Sequence, residues 1–185
     1  MAKVIKTHCV TNEVRLAYPH VWEPYAAPNG NGVAYYTACL LIPKSDTETI
    51  DAINEAIDNA IESTSVFGGR KVNKASMRSP LRDGDVDREG KDIYAGCYFI
   101  NAKSKFAPQV VDGARCEIKD QNAIYPGVYA NVILNFYCYS NNGNKGIGCG
   151  LGNIQKTRDG ERLGGDALNF DAISEPKTES EGLPF

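Results

Sequence analysis

The chain has 185 residues and a mass of 20.1 kDa, with 42% hydrophobic and 23% charged residues, a balance that excludes disorder throughout and fits one domain, or one domain with tails. Its 20 basic and 23 acidic residues leave a net charge of -3, which counts against a polycation that coats nucleic acid by charge alone. That excess lies wholly in residues 171–185, where Asp171, Glu175, Glu179 and Glu181 face a single Lys177, so residues 1–170 sum to zero.

The opening, MAKVIKTHCVTNEVR, lacks the apolar run of about 7 to 15 residues that a signal peptide needs. The longest apolar stretch, residues 38–42 (ACLLI), is far short of the roughly 20 residues that span a bilayer. The expected location is the cytoplasm, with no membrane partner. Six cysteines, at 9, 39, 97, 116, 138 and 149, are then expected as free, mostly buried thiols. They contain no CxxC pair and match no zinc spacing.

In chain order, the segment Tyr18-Pro19-His20-Val21-Trp22-Glu23-Pro24 reads as an extended edge, with His20 structural or at the surface. A Gly-rich turn over residues 28–32 then leads into VAYYTACLLI, residues 33–42, an aromatic and apolar strand closed by Pro43. Ser45-x-x-Glu48 has the form of a capping box. Ile50, Ile53, Ile57 and Ile61, with Ala52, Ala56 and Ala60, recur at steps of three and four, which predicts a helix of about four turns packed on a sheet. Gly68-Gly69 is expected to terminate it.

Residues 63–82 carry Arg70, Lys71, Lys74, Arg78 and Arg82 with no acid, +5 in twenty residues. The alternation Asp83-Gly84-Asp85-Val86-Asp87 resembles the start of a calcium loop but fails the template, with Arg88 where glycine is needed and Tyr94 where glutamate is needed. A solvated hairpin tip is the better reading. Residues 93–101 read as a strand, and the acid-free stretch 93–111 interleaves Tyr94, Tyr98, Phe99 and Phe106 with Lys103 and Lys105.

Between 128 and 139, alternation sends Val128, Ala130, Val132, Leu134, Phe136 and Cys138 to one face and Tyr129, Asn131, Ile133, Asn135, Tyr137 and Tyr139 to the other. Asn141–Asn144 reads as a hairpin loop and Lys145–Ile154 as the returning strand. Its glycines at 146, 148, 150 and 152 fit neither a dinucleotide fingerprint nor a P-loop, and signal a bulge or a close backbone approach. Together these elements predict a mainly β, five-stranded Greek-key barrel with one α-helix over residues 1–170, and a disordered acidic tail over 171–185.

Catalytic signatures are missing: two histidines, no GxSxG and no HExxH favour a non-enzymatic binding protein without cofactor or metal. Aromatic faces stack bases while cations neutralise phosphates, the pairing that single-stranded nucleic acid requires. The candidate DNA-binding residues are Arg70, Lys71, Lys74, Arg78, Tyr94, Tyr98, Lys103, Lys105, Tyr137 and Tyr139. The tail ends Glu181-Gly182-Leu183-Pro184-Phe185; Glu179, Glu181, Pro184 and Phe185 are the candidate partner-binding residues, and the acidic segment a weak competitor for the basic surface. Two other classes are a β-rich protein-interaction adaptor without DNA affinity, and a nuclease holding magnesium on Asp83, Asp85 and Asp87. A homodimer is left open.

Residues 18–24 (YPHVWEP), 41–46 (LIPKSD), 80–85 (PLRDGD), 94–96 (YAG) with 101–104 (NAKS), and 158–162 (RDGER) occur in an order that resembles the bacteriophage single-stranded DNA-binding proteins of the Enc34-like family (DUF2815). The likeness covers about residues 10–170. It implies an OB-fold that coats and protects single-stranded DNA in phage replication or recombination, without catalysis or a required cofactor. The Leu-Pro-Phe ending looks like the tails of bacterial single-strand binding proteins, which recruit replication partners. It departs from them in its sparser acids, interrupted by Lys177.

Overall fold

The computed structural model describes residues 1–163. The tail, with Glu179, Glu181, Pro184 and Phe185, lies outside the described residues. The elements are β1 (Lys3–Ile5), β2 (His8–Val10), β3 (Val14–Tyr25), β4 (Tyr35–Pro43), α1 (Thr47–Ser63), β5 (Leu81–Asp83), the one-turn helix α2 (Gly84–Asp87), β6 (Cys97–Ser104), β7 (Val110–Val111), β8 (Tyr129–Asn141) and β9 (Asn144–Arg158).

All nine strands join one sheet in the order β1-β2-β8-β3-β4-β6-β9-β7, with β5 on β6. Because β8 also pairs with β9, the strands β3, β4, β6, β9 and β8 close into a five-membered ring. Closure is uneven. β8 and β9 form a long antiparallel hairpin from Tyr129↔Arg158 to Asn141↔Asn144, whereas β6 meets β9 in parallel at Lys103↔Gly150 alone and β3 meets β8 at Val14↔Ala130 and Arg15↔Tyr129. A partly open Greek-key barrel of five strands is the architecture of the OB-fold.

The even-numbered side chains of β8 point inward, as alternation requires: Ala130, Val132, Leu134 and Phe136 are buried with Leu16, Leu40, Ile42, Ile100 and Ile154. The helix lies against β8 and the β1–β2 hairpin and adds Ile53 and Ile57, both fully buried, to the same core.

The N-cap falls on Asp46, one residue past the predicted Ser45, with its carboxylate accepting from the Thr49 N–H at 3.1 Å. The reason is tertiary. Asn12 donates its side-chain amide to both Asp46 and Glu48, drawing Glu48 away from the backbone it would otherwise cap. The helix stops at Ser63, where Thr64 turns extended, ahead of the predicted glycine pair.

Two further expectations are corrected. Residues 92–94 form a 3₁₀ turn instead of strand, and the strand begins only at Cys97, because Gly96 sits at φ +68° and reverses the chain there. Residues 84–87 form a helical turn and not a hairpin tip. The loop of the β8–β9 hairpin is Asn142-Gly143, both with positive φ, the turn that suits two antiparallel strands. Cys9, Cys39, Cys138 and Cys149 are buried free thiols. No helix among the described residues is long and apolar enough to cross a membrane.

Candidate nucleic-acid interface

The outward positions of β8 end in Tyr137 and Tyr139, 41% and 37% exposed, large rings left open to solvent in a chain that buries most of its apolar side chains. They face Gly148 and Gly146 across the hairpin. A Cβ placed on Gly146 would come 2.5 Å from Tyr139 Cζ, and one on Gly148 would come 2.6 Å from Tyr137 Oη, so each ring occupies the space of a missing β9 side chain. The glycine alternation in 146–152 therefore serves close approach, and what approaches is a tyrosine. Burial of one side of Tyr137 pushes its phenol up from the ordinary value.

Across the ring of strands, β3 supplies Tyr18, His20 and Tyr25. The register between β3 and β4 shifts from Ala17↔Cys39 to His20↔Thr37, one extra residue on β3 and so a bulge. Tyr18 takes φ +47° there and stands 57% exposed. The bulge sends Val21 into the core and His20 outward, where its ring stacks on Tyr25 at 4.5 Å between centroids. On β6, Asn101 and Lys103 share this face, and Lys103 Nζ lies 4.7 Å from the centre of the Tyr35 ring.

These side chains line a groove of about 930 Å³, floored by Ala38, Cys39 and Cys149. Burial pushes the Cys39 thiol up to about 11, so this part of the floor stays neutral. At Tyr139 and Asn141 the groove continues into a more polar hollow of about 860 Å³ lined by Arg78 and Lys145. Arg78 is held there by backbone: its carbonyl accepts from the Ile147 N–H at 3.3 Å, next to the Gly146 bridge. Among the described residues, Arg78, Lys103 and Lys145 form no ion pair.

Of the residues singled out in the sequence, the groove and its extension gather Arg78, Lys103, Tyr137 and Tyr139. Tyr94 is removed from the candidate set. It is 6% exposed and packs edge-on against Phe99 at 5.0 Å, because the turn before Gly96 folds it back onto the sheet. Tyr98 shares the inward phase of Ile100 and Ala102, opposite to Lys103, and is half-buried with Lys44 Nζ 5.4 Å from its ring centre. Arg70 and Lys71 line a separate hollow beyond the end of α1, together with Phe67. Lys74 pairs with Asp58 at 2.6 Å. Lys105 is exposed next to Phe106, whose ring is 82% exposed.

The acidic trio is engaged elsewhere. Lys44 Nζ holds Asp83 at 2.8 Å and Asp85 at 2.7 Å, and Arg82 Nε holds Asp87 at 3.0 Å. Among the described residues no group of three His, Cys, Asp or Glu side chains is placed to hold a metal ion. Sequence reasoning passed over Tyr18, read His20 only as structural or at the surface, and passed over Tyr25 and Lys145. The readable sign for the first two was Pro19, which interrupts the alternation where the bulge forms.

A five-stranded OB-type barrel with open aromatic rings along a groove edged by cations belongs to the class of single-strand nucleic-acid-binding barrels. Residues 7–183 match the family described as the Enterobacter phage Enc34 ssDNA-binding protein, and the chain belongs to that family. A relative, "putative protein p50" of Acyrthosiphon pisum secondary endosymbiont phage 1, is 35% identical over 175 residues, covering 88% of this chain and 92% of its own. Among solved structures, the single-stranded DNA-binding protein of bacteriophage Enc34 in complex with ssDNA superposes with a TM-score of 0.74 at 28% identity, covering 88% of this chain and 97% of that one. The bacteriophage T7 single-stranded DNA-binding protein gp2.5 shares the fold, with a TM-score of 0.58 at 16% identity over 90% of this chain and 98% of that one.

Proposed function

We propose that this chain is a sequence-tolerant single-stranded DNA-binding protein that coats and protects ssDNA in phage replication or recombination, without catalysis. The observation that carries it is the groove: Tyr137 and Tyr139 offer ring faces beside Arg78, Lys103 and Lys145, cations that form no ion pair among the described residues. Stacking on an aromatic face is worth roughly 1–3 kcal/mol per base and tolerates any base, because every base has a π face. Phosphate neutralisation adds affinity that falls with salt. Tyr18, His20 and Tyr25 extend the aromatic lining on the opposite wall. Membership of a family of ssDNA-binding proteins supports the same reading.

A titration of fluorescent dT oligomers at several salt concentrations tests it. Salt-dependent binding is expected; its absence sinks the proposal. We assign to the acidic tail a second role, competing with DNA and recruiting replication or recombination proteins through Glu179, Glu181, Pro184 and Phe185. In support, the chain reaches Leu163 packed on a cluster of Ala17, Cys39, Leu41 and Phe99, and Cys39 also floors the groove. The described residues therefore end on a cluster that shares Cys39 with the groove floor. Deleting residues 171–185 should leave the melting temperature unchanged, tighten DNA binding at low salt and abolish partner capture. Equal affinity at every ionic strength would remove the competitor role.

A further inference from the structure

We infer that Gly146 and Gly148 are positioning residues for the nucleic acid: by leaving the outer face of β9 bare, they let the rings of Tyr139 and Tyr137 lie down across the neighbouring strand, each with one face held outward for a base. The inference rests on the ssDNA-binding reading and gives it a mechanism. Strand side chains ordinarily stand roughly perpendicular to the sheet, and a tyrosine that stands upright offers no fixed platform. Here both rings instead occupy the positions where a β9 side chain would begin. An added Cβ would sit 2.5 Å from Tyr139 Cζ at Gly146 and 2.6 Å from Tyr137 Oη at Gly148, well inside the roughly 3.5–4.0 Å of an ordinary carbon contact.

The next glycines on the same face differ. A Cβ at Gly150 would meet Asn135 at 3.4 Å and 3.6 Å, an ordinary contact, and one at Gly152 would meet the Ile133 carbonyl at 2.8 Å. Of these four β9 glycines, the two opposite tyrosines trade a side chain for a ring. Each ring is backed by the β9 backbone on one side and remains more than a third exposed on the other. A side chain held in its bound arrangement gives up less freedom on binding. At both positions the atoms in the way of a new methyl belong to the far end of a tyrosine, so a methyl should move the ring and spare the fold.

Four variants, Gly146→Ala, Gly148→Ala, Gly150→Ala and Tyr137→Ala, test this against dT oligomers in the full chain. Gly146→Ala and Gly148→Ala should keep the circular dichroism and melting temperature of the parent, yet each should weaken binding about ten-fold, as expected for impairing one stacked base. The salt slope should not change, because no phosphate contact is lost. Gly150→Ala should bind like the parent. In a Tyr137→Ala background, Gly148→Ala should cost nothing more. Parental affinity in Gly148→Ala, or an equal loss with and without Tyr137, would overturn the role of the glycines while leaving DNA binding intact. If the parent itself fails to bind dT, the functional reading falls and this role with it.

Should an alanine variant fail to fold, the parent still decides the geometry by NMR. The Hα protons of Gly146 and Gly148 should be shifted upfield by the rings above them, and the shifts should vanish in Tyr139→Leu and Tyr137→Leu. Unshifted glycine protons in the parent would overturn the inference.

Discussion

Among the regions of this barrel that combine aromatic rings with cations, two do opposite things with them. In the first, Phe99 and Tyr94 pack edge to face and carry guanidinium groups above them: Arg82 at 5.2 Å and Arg88 at 5.3 Å from the Phe99 centroid, Arg88 also at 5.9 Å from that of Tyr94. Leu163 and Ile93 close the cluster, and Arg82 is tied to Asp87. In the second, Tyr137 and Tyr139 lie on glycines, and Arg78, Lys103 and Lys145 are unpaired among the described residues. The first region is a satisfied satellite core. The second has rings and charges still able to act on a ligand. The same residue types thus become structure or binding surface according to whether loops and carboxylates have already covered them.

The contrast is testable from its strongest consequence downward. Phe99→Ala should destabilise the fold by about 3–5 kcal/mol, the cost of a large cavity, seen as a lower urea midpoint, while the folded fraction still binds DNA. Tyr137→Ala should do the reverse, weakening binding by about 1–3 kcal/mol with an unchanged midpoint. If Tyr137→Ala unfolds the chain and Phe99→Ala does not, the two regions have been assigned the wrong way round.

Lys103→Ala and Arg78→Ala should each flatten the plot of log affinity against log salt by roughly 0.7, one phosphate apiece on a single strand. Arg82→Ala, whose guanidinium is already paired with Asp87, should leave that slope alone.

The smallest effect concerns the Lys44 clasp. Hydrogen bonds from Lys44 hold the Asp83 and Asp85 carboxyls below the ordinary value of 3.8. A depressed folded value stabilises the protein above the unfolded one, and that contribution disappears as pH falls through the folded value. The double variant Asp83→Asn/Asp85→Asn should therefore be slightly less stable than the parent at pH 7, and the two should converge well below pH 3.8 in urea melts. Asp85 is exposed and Asp83 only half-buried, so solvent screening keeps the difference small.

Much of the barrel was legible because its signals are local. Alternation along residues 128–139 assigned the inward and outward positions of β8 from Tyr129 to Tyr139, since side-chain direction in a strand has a period of two. That pattern exposed Tyr137 and Tyr139 without any knowledge of their neighbours. The spacing of Ile53 and Ile57 likewise identified the buried face of α1. Tyr94 misled because it was read as strand, and one left-handed glycine, Gly96, turned the preceding residues back onto the sheet. Tyr18 and His20 escaped because a bulge re-aims them, and a bulge exists only where a second strand sets the register.

The amino-acid sequence by itself therefore determined the β-rich barrel, its helix, the separation of a neutral body from an acidic C-terminal stretch, and the outward tyrosines of β8. Backbone periodicity and composition act over a few residues and need no partner. Only the tertiary structure decided, among the described residues, which rings stay open and which cations stay unpaired. Burial of Tyr94 depends on Phe99, release of Tyr137 depends on Gly148, and neutralisation of Lys44 depends on Asp83 and Asp85. Those last two are contacts between separate elements, where exposure and ion pairing are set by what the fold brings alongside.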